Sequence, residues 1–540
     1  MSMTRANWQL PIGLLLAGAL HALTFAPDPL PQWAMSPLQL VTMAWLVRQV
    51  WQAPTGLKAA GRAWLFGLGH FSVGLYWLTI SMHTYGYMPM PLAIAALLAF
   101  SAYLALFYGL AGWITSRTGQ VAWVDGTGSA AGPIRAALVW ASAWTLAEWL
   151  RATLFTGFAW LNTGYAHTDS WFAAWSAVLG VYGVTFMVAF AAAALAGLVG
   201  TTHFSLRHQP QRAMAGVIAI VLALAGWGLQ FVNWTTPLGN PIAARLVQGA
   251  VDQGAKFAPG ELIAGIRNHL ALAARPPSPG MPAPQIVLLP ETAIPVFSHQ
   301  LDPAFWEAWR NLAGQQQSTI LTGVPLFDRT TGHITNSVIA LDGDTPVASL
   351  VAGTPTQRYD KHHLVPFGEF VPWGFRWFVD LMAIPLGDFN RGGTAQPPFK
   401  IKDQFIAPNI CYEDIFGEEL LPSLHTAGQE SGSASMLANF SNLGWFGDSW
   451  ALRQHWQMAR MRAIETSRPV LRATNTGITG AINPHGVPIG MLAPLRPGIL
   501  DVWVQGQTGL TPYARLGNWP VLLIALAVLF WTRLRRRQRT

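Results

Sequence analysis

Cys411 is the only cysteine in 540 residues, and it stands in the hexapeptide Asn409-Ile410-Cys411-Tyr412-Glu413-Asp414. The hexapeptide closes an apolar run over 404–408 and opens a helical pattern over 415–421. A thiol at a strand-to-helix turn is held where a substrate carbonyl can reach it. A lone cysteine cannot be half of an intrachain disulfide. Free cysteines are also common as small buried hydrophobes, and the hexapeptide leaves both readings open. Two further segments carry groups of matching chemistry. Glu291 follows an apolar run and sits between Pro290 and Pro295. Held rigidly and away from water, such a carboxylate becomes a useful base; in isolation a surface residue in a turn is the commoner reading. Lys361 and Glu369 lie among prolines and aromatics in 359–372. A lysine there would lower a thiol's pKa and bind an oxyanion. The adjacent His362 and His363 point apart, and no spaced Cys/His/Glu set accompanies them, so no metal is expected. The chain contains no Gly-x-Ser-x-Gly elbow, phosphate loop or dinucleotide fingerprint.

The elements that must position these groups fall into two kinds. The chain is 51% hydrophobic and 11% charged, against about 25% charged for an ordinary soluble domain. Much of it therefore does not face water. The 33 Lys and Arg against 25 Asp and Glu give a net charge of +8. The basic residues sit at the ends of apolar segments, which argues for membrane topology and against nucleic acid. Apolar segments of spanning length, roughly 20 residues, occur at 8–26, 33–51, 62–82, 89–114, 136–156, 171–200, 213–234 and 519–534. Many of the 26 tryptophans lie near segment ends, as an interfacial belt requires. The tail Arg533, Arg535, Arg536, Arg537 and Arg539 belongs in the cytoplasm, with Arg5 on the same side of eight spans. Arg48, Lys58, Arg62, Arg117, Arg135, Arg207 and Arg212 then fall on that side, and only Arg151 does not.

This topology puts 240–515 outside the cytoplasm as one block. Its strand patterns, 244–249, 285–289, 319–324, 336–341, 404–410, 435–440, 470–475 and 499–504, alternate with helical patterns at 261–274, 303–314 and 451–466. That alternation predicts a layered α/β domain. The expected organisation is 1–239 as a seven-helix transmembrane bundle, 240–515 as a catalytic domain, and 516–540 as a last span with a basic tail. No internal repeat is evident. Glu148 and Arg151 share a helix face in the fifth span, close enough to pair; charges inside a membrane read as functional candidates, and a structural tie to the domain above is the other reading. His455 and the arginines of 451–466 are expected to support the strand that carries Cys411.

The chain order Glu291, Lys361, Cys411 resembles that of the nitrilase, or carbon–nitrogen hydrolase, superfamily. The whole chain is similar to its membrane branch, the apolipoprotein N-acyltransferase family. The resemblance rests on Gly18-Ala19-Leu20 through Phe25-Ala26-Pro27, Glu148-Trp149-Leu150-Arg151 with Leu154-Phe155-Thr156-Gly157-Phe158, and Val247-Gln248-Gly249. It continues through Lys361 to Pro372, Gln457-Met458-Ala459-Arg460-Met461-Arg462-Ala463, and Gly509-Leu510-Thr511-Pro512-Tyr513-Ala514-Arg515 before Gly517-Asn518-Trp519-Pro520.

The resemblance implies a bundle of about eight transmembrane helices joined to an α-β-β-α sandwich. It carries the base onto Glu291, the lysine onto Lys361 and the nucleophile onto Cys411. Supporting or substrate-binding positions fall on Glu369, Tyr412, Glu413, Trp445 and Phe446. The family's tryptophan after Lys256 is Phe257 here, and its acid after Asn442 is Leu443. The implied activity moves a fatty acyl chain from a phospholipid, through a cysteine thioester, to a diacylglyceryl-modified apolipoprotein. It needs no cofactor. The implied place is a bacterial inner membrane, with the catalytic domain periplasmic. The apolar stretch 373–382, with Trp377, is expected to be a mobile arm at the membrane interface; packing into the core is the other reading. A membrane-tethered amidase hydrolysing a small amide is the alternative function.

Overall fold

A computed structural model describes all residues except 1–5, 26–29, 118–131, 199–209, 255, 257, 259, 375, 377–387, 426–431 and 538–540. Contacts divide the chain into two compact units, 1–79 with 89–232 and 515–540, and 80–88 with 233–514.

The first unit is helical. Helices Ala6–Ala22, Gln32–Trp51, Gly56–Gly74, Met90–Arg117, Pro133–Thr153, Ser176–Leu198, Pro210–Leu229 and Trp519–Arg537 overlap the eight apolar segments. Among the described residues, four stretches are long and apolar enough to cross a membrane: Trp8–Phe25, Met90–Arg117, Ala173–Leu198 and Arg212–Leu229. A bent pair, Gly56–Gly74 with Leu78–Tyr85, makes a fifth. The remaining three helices fall short in length or apolarity, so the expected eight spans are not all met on this measure. The segment expected as one continuous helix at 62–82 breaks after Gly74. Trp77 Nε1 donates to the Gly74 carbonyl at 3.1 Å and Thr79 Oγ1 to Tyr76 O at 2.7 Å, so side chains take over the helix-end acceptors.

Glu148 and Arg151 are both buried but do not pair directly. Arg151 donates to Phe158 O and Trp160 O at 2.7 Å each and to Asn162 Oδ1 at 2.5 Å. Glu148 accepts from Thr163 N at 3.0 Å, Thr163 Oγ1 at 2.7 Å and Thr185 Oγ1 at 3.0 Å. The loop over 158–163 offers fixed dipoles to each charge, and buried charges need such partners.

The second unit is built on strands β1 (Thr236–Pro237), β2 (Ile242–Gln248), β3 (Ile286–Leu288), β4 (Thr319–Phe327), β5 (Ile334–Leu341), β6 (Gln357–Asp360) and β7 (Phe399–Ile401). It continues with β8 (Gln404–Ile410), β9 (Met436–Ser441), β10 (Val470–Thr474), β11 (Gly480–Ile482), β12 (Pro488–Met491), β13 (Gly498–Val504) and β14 (Gln507–Thr508). One sheet runs β13-β2-β3-β4-β5-β6 and the other β7-β8-β9-β10-β11-β12; β1 and β14 pair separately. In each six-stranded sheet three consecutive strands are parallel, β2-β3-β4 and β8-β9-β10, and the flanking pairs are antiparallel. The sheets thus repeat one topology, although the sequence shows no repeat.

Strands covered on both faces read as continuous apolar runs, and β2, β9 and β10 are buried at every position. Leu246, Leu288, Ile406, Ile410, Phe440 and Leu471 join one core between the sheets. Helices Glu261–Ala273 and Pro303–Gln316 close the outer face of the first sheet through Ile266, Trp306 and Trp309. Helix Trp450–Thr466 closes the second through Trp456, Ala459 and Ala463. The layering is α-β-β-α, as the resemblance implies. The expected helix at 415–421 is instead two 3-10 turns, Cys411–Ile415 and Leu421–Leu424, around a single α-turn, Gly417–Leu420. Phe416 leaves helical geometry at φ −106°, ψ 83°, which ends the first turn.

Candidate active site

The strand ends bring Glu291, Lys361 and Cys411 together. Glu291 lies just past β3, in a turn whose next residue, Thr292, has φ +46°. Strand β4 passes so close that a Cβ at Gly323 would sit 2.7 Å from Glu291 Cα. Glycine is therefore required there. Glu291 is 8% exposed. Its Oε1 accepts from Asn336 Nδ2 at 2.8 Å and lies 3.5 Å from Lys361 Nζ; its Oε2 accepts from the Asn442 N–H at 2.9 Å.

Lys361 follows β6 and is buried, with its N–H on Asn336 O at 2.8 Å. Its Nζ lies 2.9 Å from each Glu369 oxygen. Asn336 Nδ2 also donates to Glu369 at 2.8 Å, so one amide orients both carboxylates. The Val365 N–H donates to the other Glu369 oxygen at 2.8 Å. Burial alone would lower the Lys361 pKa, but Glu369 and Glu291 outweigh it and hold the ammonium above its ordinary range.

Cys411 follows β8 at φ +52°, half-buried against the inter-sheet core. A non-glycine residue there stores about 1–3 kcal/mol of strain, a feature that clusters at functional sites. Glu413 clips the turn. Its Oε2 accepts from Ile410 N at 2.6 Å and Tyr359 Oη at 2.9 Å, and its Oε1 from His362 N at 2.6 Å and His363 N at 3.0 Å. One buried carboxylate thus ties the Cys411 turn to the Lys361 loop. Burial, then the charge of Glu291, push the Cys411 thiol well above its ordinary range; Lys361 and the Asn442 N–H pull the other way. The group is a thiol at neutral pH, so its proton must be taken during reaction.

Helix Trp450–Thr466 supports this turn as expected, through His455 and Asp414. Asp414 pairs with Arg472 Nη1 at 2.6 Å, and Arg472 Nη2 meets His455 Nδ1 at 2.9 Å. The rings of His362 and His363 are engaged within the unit. His362 Nδ1 donates to Gly392 O at 2.9 Å, and His363 stacks on Phe416 at 3.8 Å with Nδ1 on Glu419 at 2.9 Å.

Tyr412 packs edge-on against Phe416 at 5.2 Å. Trp445 and Phe446 lie in the turn Gly444–Phe446 after β9; Trp445 is 38% exposed and meets Tyr85 edge-on at 5.5 Å. Leu443 is buried beside them, so this position holds no acid. Phe257, Trp377 and most of the 373–382 arm lie outside the described residues; within the arm, Trp373 is 98% exposed. The sequence reading missed Asn336, the Asn442 N–H and Gly323. Asn336, inside an otherwise β-forming run, and Gly323, a glycine inside a strand pattern, carried a signal; the Asn442 N–H carried none.

Residues 244–513 match the Carbon-nitrogen hydrolase family, which fixes the class of the α/β unit. A carbon-nitrogen hydrolase from Helicobacter pylori G27 is similar at 17% identity with a TM-score of 0.34, over 52% of this chain and 94% of that one. Residues 17–194 match the Apolipoprotein N-acyltransferase N-terminal domain. The apolipoprotein N-acyltransferase of Bordetella bronchiseptica is 50% identical over 543 residues, spanning 98% of both chains. That of Ralstonia nicotianae is 43% identical, over 99% of this chain and 95% of the relative. The chain belongs to the apolipoprotein N-acyltransferase family. Kinship over the full length, helices included, does not favour the small-amide amidase.

Proposed function

We propose that this chain transfers a fatty acyl group from a membrane phospholipid to the α-amino group of a diacylglyceryl-modified cysteine at an apolipoprotein N-terminus. The observation that carries the reading is the convergence on Asn442. Its N–H holds Glu291 Oε2 at 2.9 Å and also faces the Cys411 thiol. Base and nucleophile therefore share one anchor.

Glu291 takes the thiol proton as Cys411 Sγ attacks the phospholipid ester carbonyl. Lys361 and a backbone N–H at Tyr412 stabilise the oxyanion. The ester C–O bond breaks, Glu291 returns the proton to the glycerol oxygen, and a lysophospholipid leaves a thioester. The lipoprotein amine then attacks the thioester and gives a proton to Glu291. The C–S bond breaks, and the proton returns to sulfur. Glu369 holds Lys361; Glu413 and Tyr412 hold the nucleophile turn; Trp445, Phe446, Phe257 and Trp377 bind lipid. Arm 373–382 gates access.

We further infer eight spans, with both termini cytoplasmic and the catalytic domain periplasmic in a bacterial inner membrane. The charge pattern supports this orientation. The bilayer, a phospholipid donor and an apolipoprotein acceptor are the partners, without nucleic acid or cofactor.

Intact mass of the detergent-purified protein after incubation with phospholipid tests the scheme. One acyl chain should be gained, released by hydroxylamine, absent from Cys411→Ala, and discharged by a diacylated lipopeptide. An unmodified wild-type mass with every phospholipid tried would overturn it.

A further inference from the structure

A second lysine stands at the site, and none of the steps above uses it. Lys256 is 4% exposed. Its Nζ donates to Thr292 Oγ1 at 2.5 Å and to the main-chain oxygen of Glu291 at 3.2 Å. Among the described residues it makes no ion pair, although a buried ammonium ordinarily requires one. Both of its acceptors belong to the turn that carries the base. That turn contains Thr292, a β-branched residue at φ +46°, and such backbone persists only where its surroundings enforce it.

The charges call for the same residue. Glu291 and Glu369 bring two negative charges and Lys361 one positive charge. A proton passing from Cys411 to Glu291 leaves that excess of one negative charge in place. Lys256 offsets it. The titratable groups that act on Lys256 are Glu291 and Cys411, and Lys256 acts in turn on His269. Burial first, then Lys256, hold His269 down to about 4, so the imidazole adds no charge.

We propose that Lys256 is a positioning residue for acyl transfer, clamping the Glu291 turn through its main chain and balancing the charge of the site as Cys411 reacts. The inference rests on the thioester reading of Cys411. Burial pulls Lys256 down to about 8, against the opposing pull of Glu291 and Cys411. Its charge is present below that pH and lost above it. Thioester formation should therefore fall as pH rises through about 8.

The test is the initial rate of Cys411 acylation in mixed micelles of zwitterionic and anionic phospholipid, from pH 6 to pH 10. Lys256→Met should slow acylation by ~10–100-fold at pH 7, the effect of removing one nearby charge, and should abolish the inflection near pH 8. Lys256→Arg should stay within ~10-fold of wild type and also lose the inflection, because a guanidinium does not titrate in this range. Thermal unfolding of both variants checks that they are folded. A wild-type profile without the inflection overturns the inference. So does Lys256→Met at the wild-type rate, or slowed but with the inflection kept. No adduct on the wild type would remove the thioester reading itself.

Discussion

Cys411 gains its place from main-chain geometry and its protonation from its neighbours. Its left-handed backbone turns the thiol off the end of β8, and Glu413 holds the turn by accepting two N–H groups on the Lys361 side and one on the Cys411 side. An ordinary thiol of pKa ~8.5 is mostly ionised at pH 9. Burial and Glu291 set Cys411 above that. Alkylation of Cys411 by iodoacetamide should still be accelerating at pH 9, and Lys361→Met should push the profile further to the alkaline side. A plateau below pH 8.5 would mean a preformed thiolate and no need for Glu291 as base. The three reactive residues were legible in the sequence because side-chain identity carries them. The Asn442 N–H and the clamp by Lys256 were not, since contacts to the main chain leave no residue-type signature.

Strand ends place these residues, and what lies beneath each turn decides its rigidity. Under Glu291 runs Gly323, where any side chain collides with the turn. Gly323→Ala should displace the base, cutting acylation by at least ~10-fold while costing only about 1–3 kcal/mol of stability; thermal unfolding beside acylation rate separates the two. Beneath Cys411 lies the buried pair Asp414–Arg472 at 2.6 Å. Asp414→Asn strands the guanidinium and should cost about 3–5 kcal/mol, the usual penalty for breaking a buried pair, read as a drop in denaturation midpoint. The eight strands with strong apolar runs were visible in the sequence to within a few residues. Strand β6, Gln357-Arg358-Tyr359-Asp360, is half-exposed throughout and shows no alternation. The short β1, β7, β11, β12 and β14 were missed along with it. β6 is an edge strand, and its polarity guards against pairing with another chain; β7, β11 and β12 are only three or four residues long, too short to show a period.

At the scale of the molecule, the apolar segments announced the helical unit, and one topology accounts for nearly all of its basic residues. That topology is directly measurable, because Cys411→Ala leaves a chain with no other thiol. In that background Thr330→Cys, in an exposed turn after β4, should label with a membrane-impermeant maleimide in spheroplasts. Gln52→Cys, between the second and third helices, should label only after lysis. The reverse pattern would sink the proposed orientation. The twofold repetition of sheet topology stayed hidden, since it lies in strand direction and not in residue identity. It has a consequence for how the protein fails. One sheet supplies Glu291 and Lys361, and the other supplies Cys411 and Asn442, so neither half holds a working set. Activity therefore reports the docking of the two halves. It should be lost no later than helix and strand content as denaturant weakens the inter-sheet core.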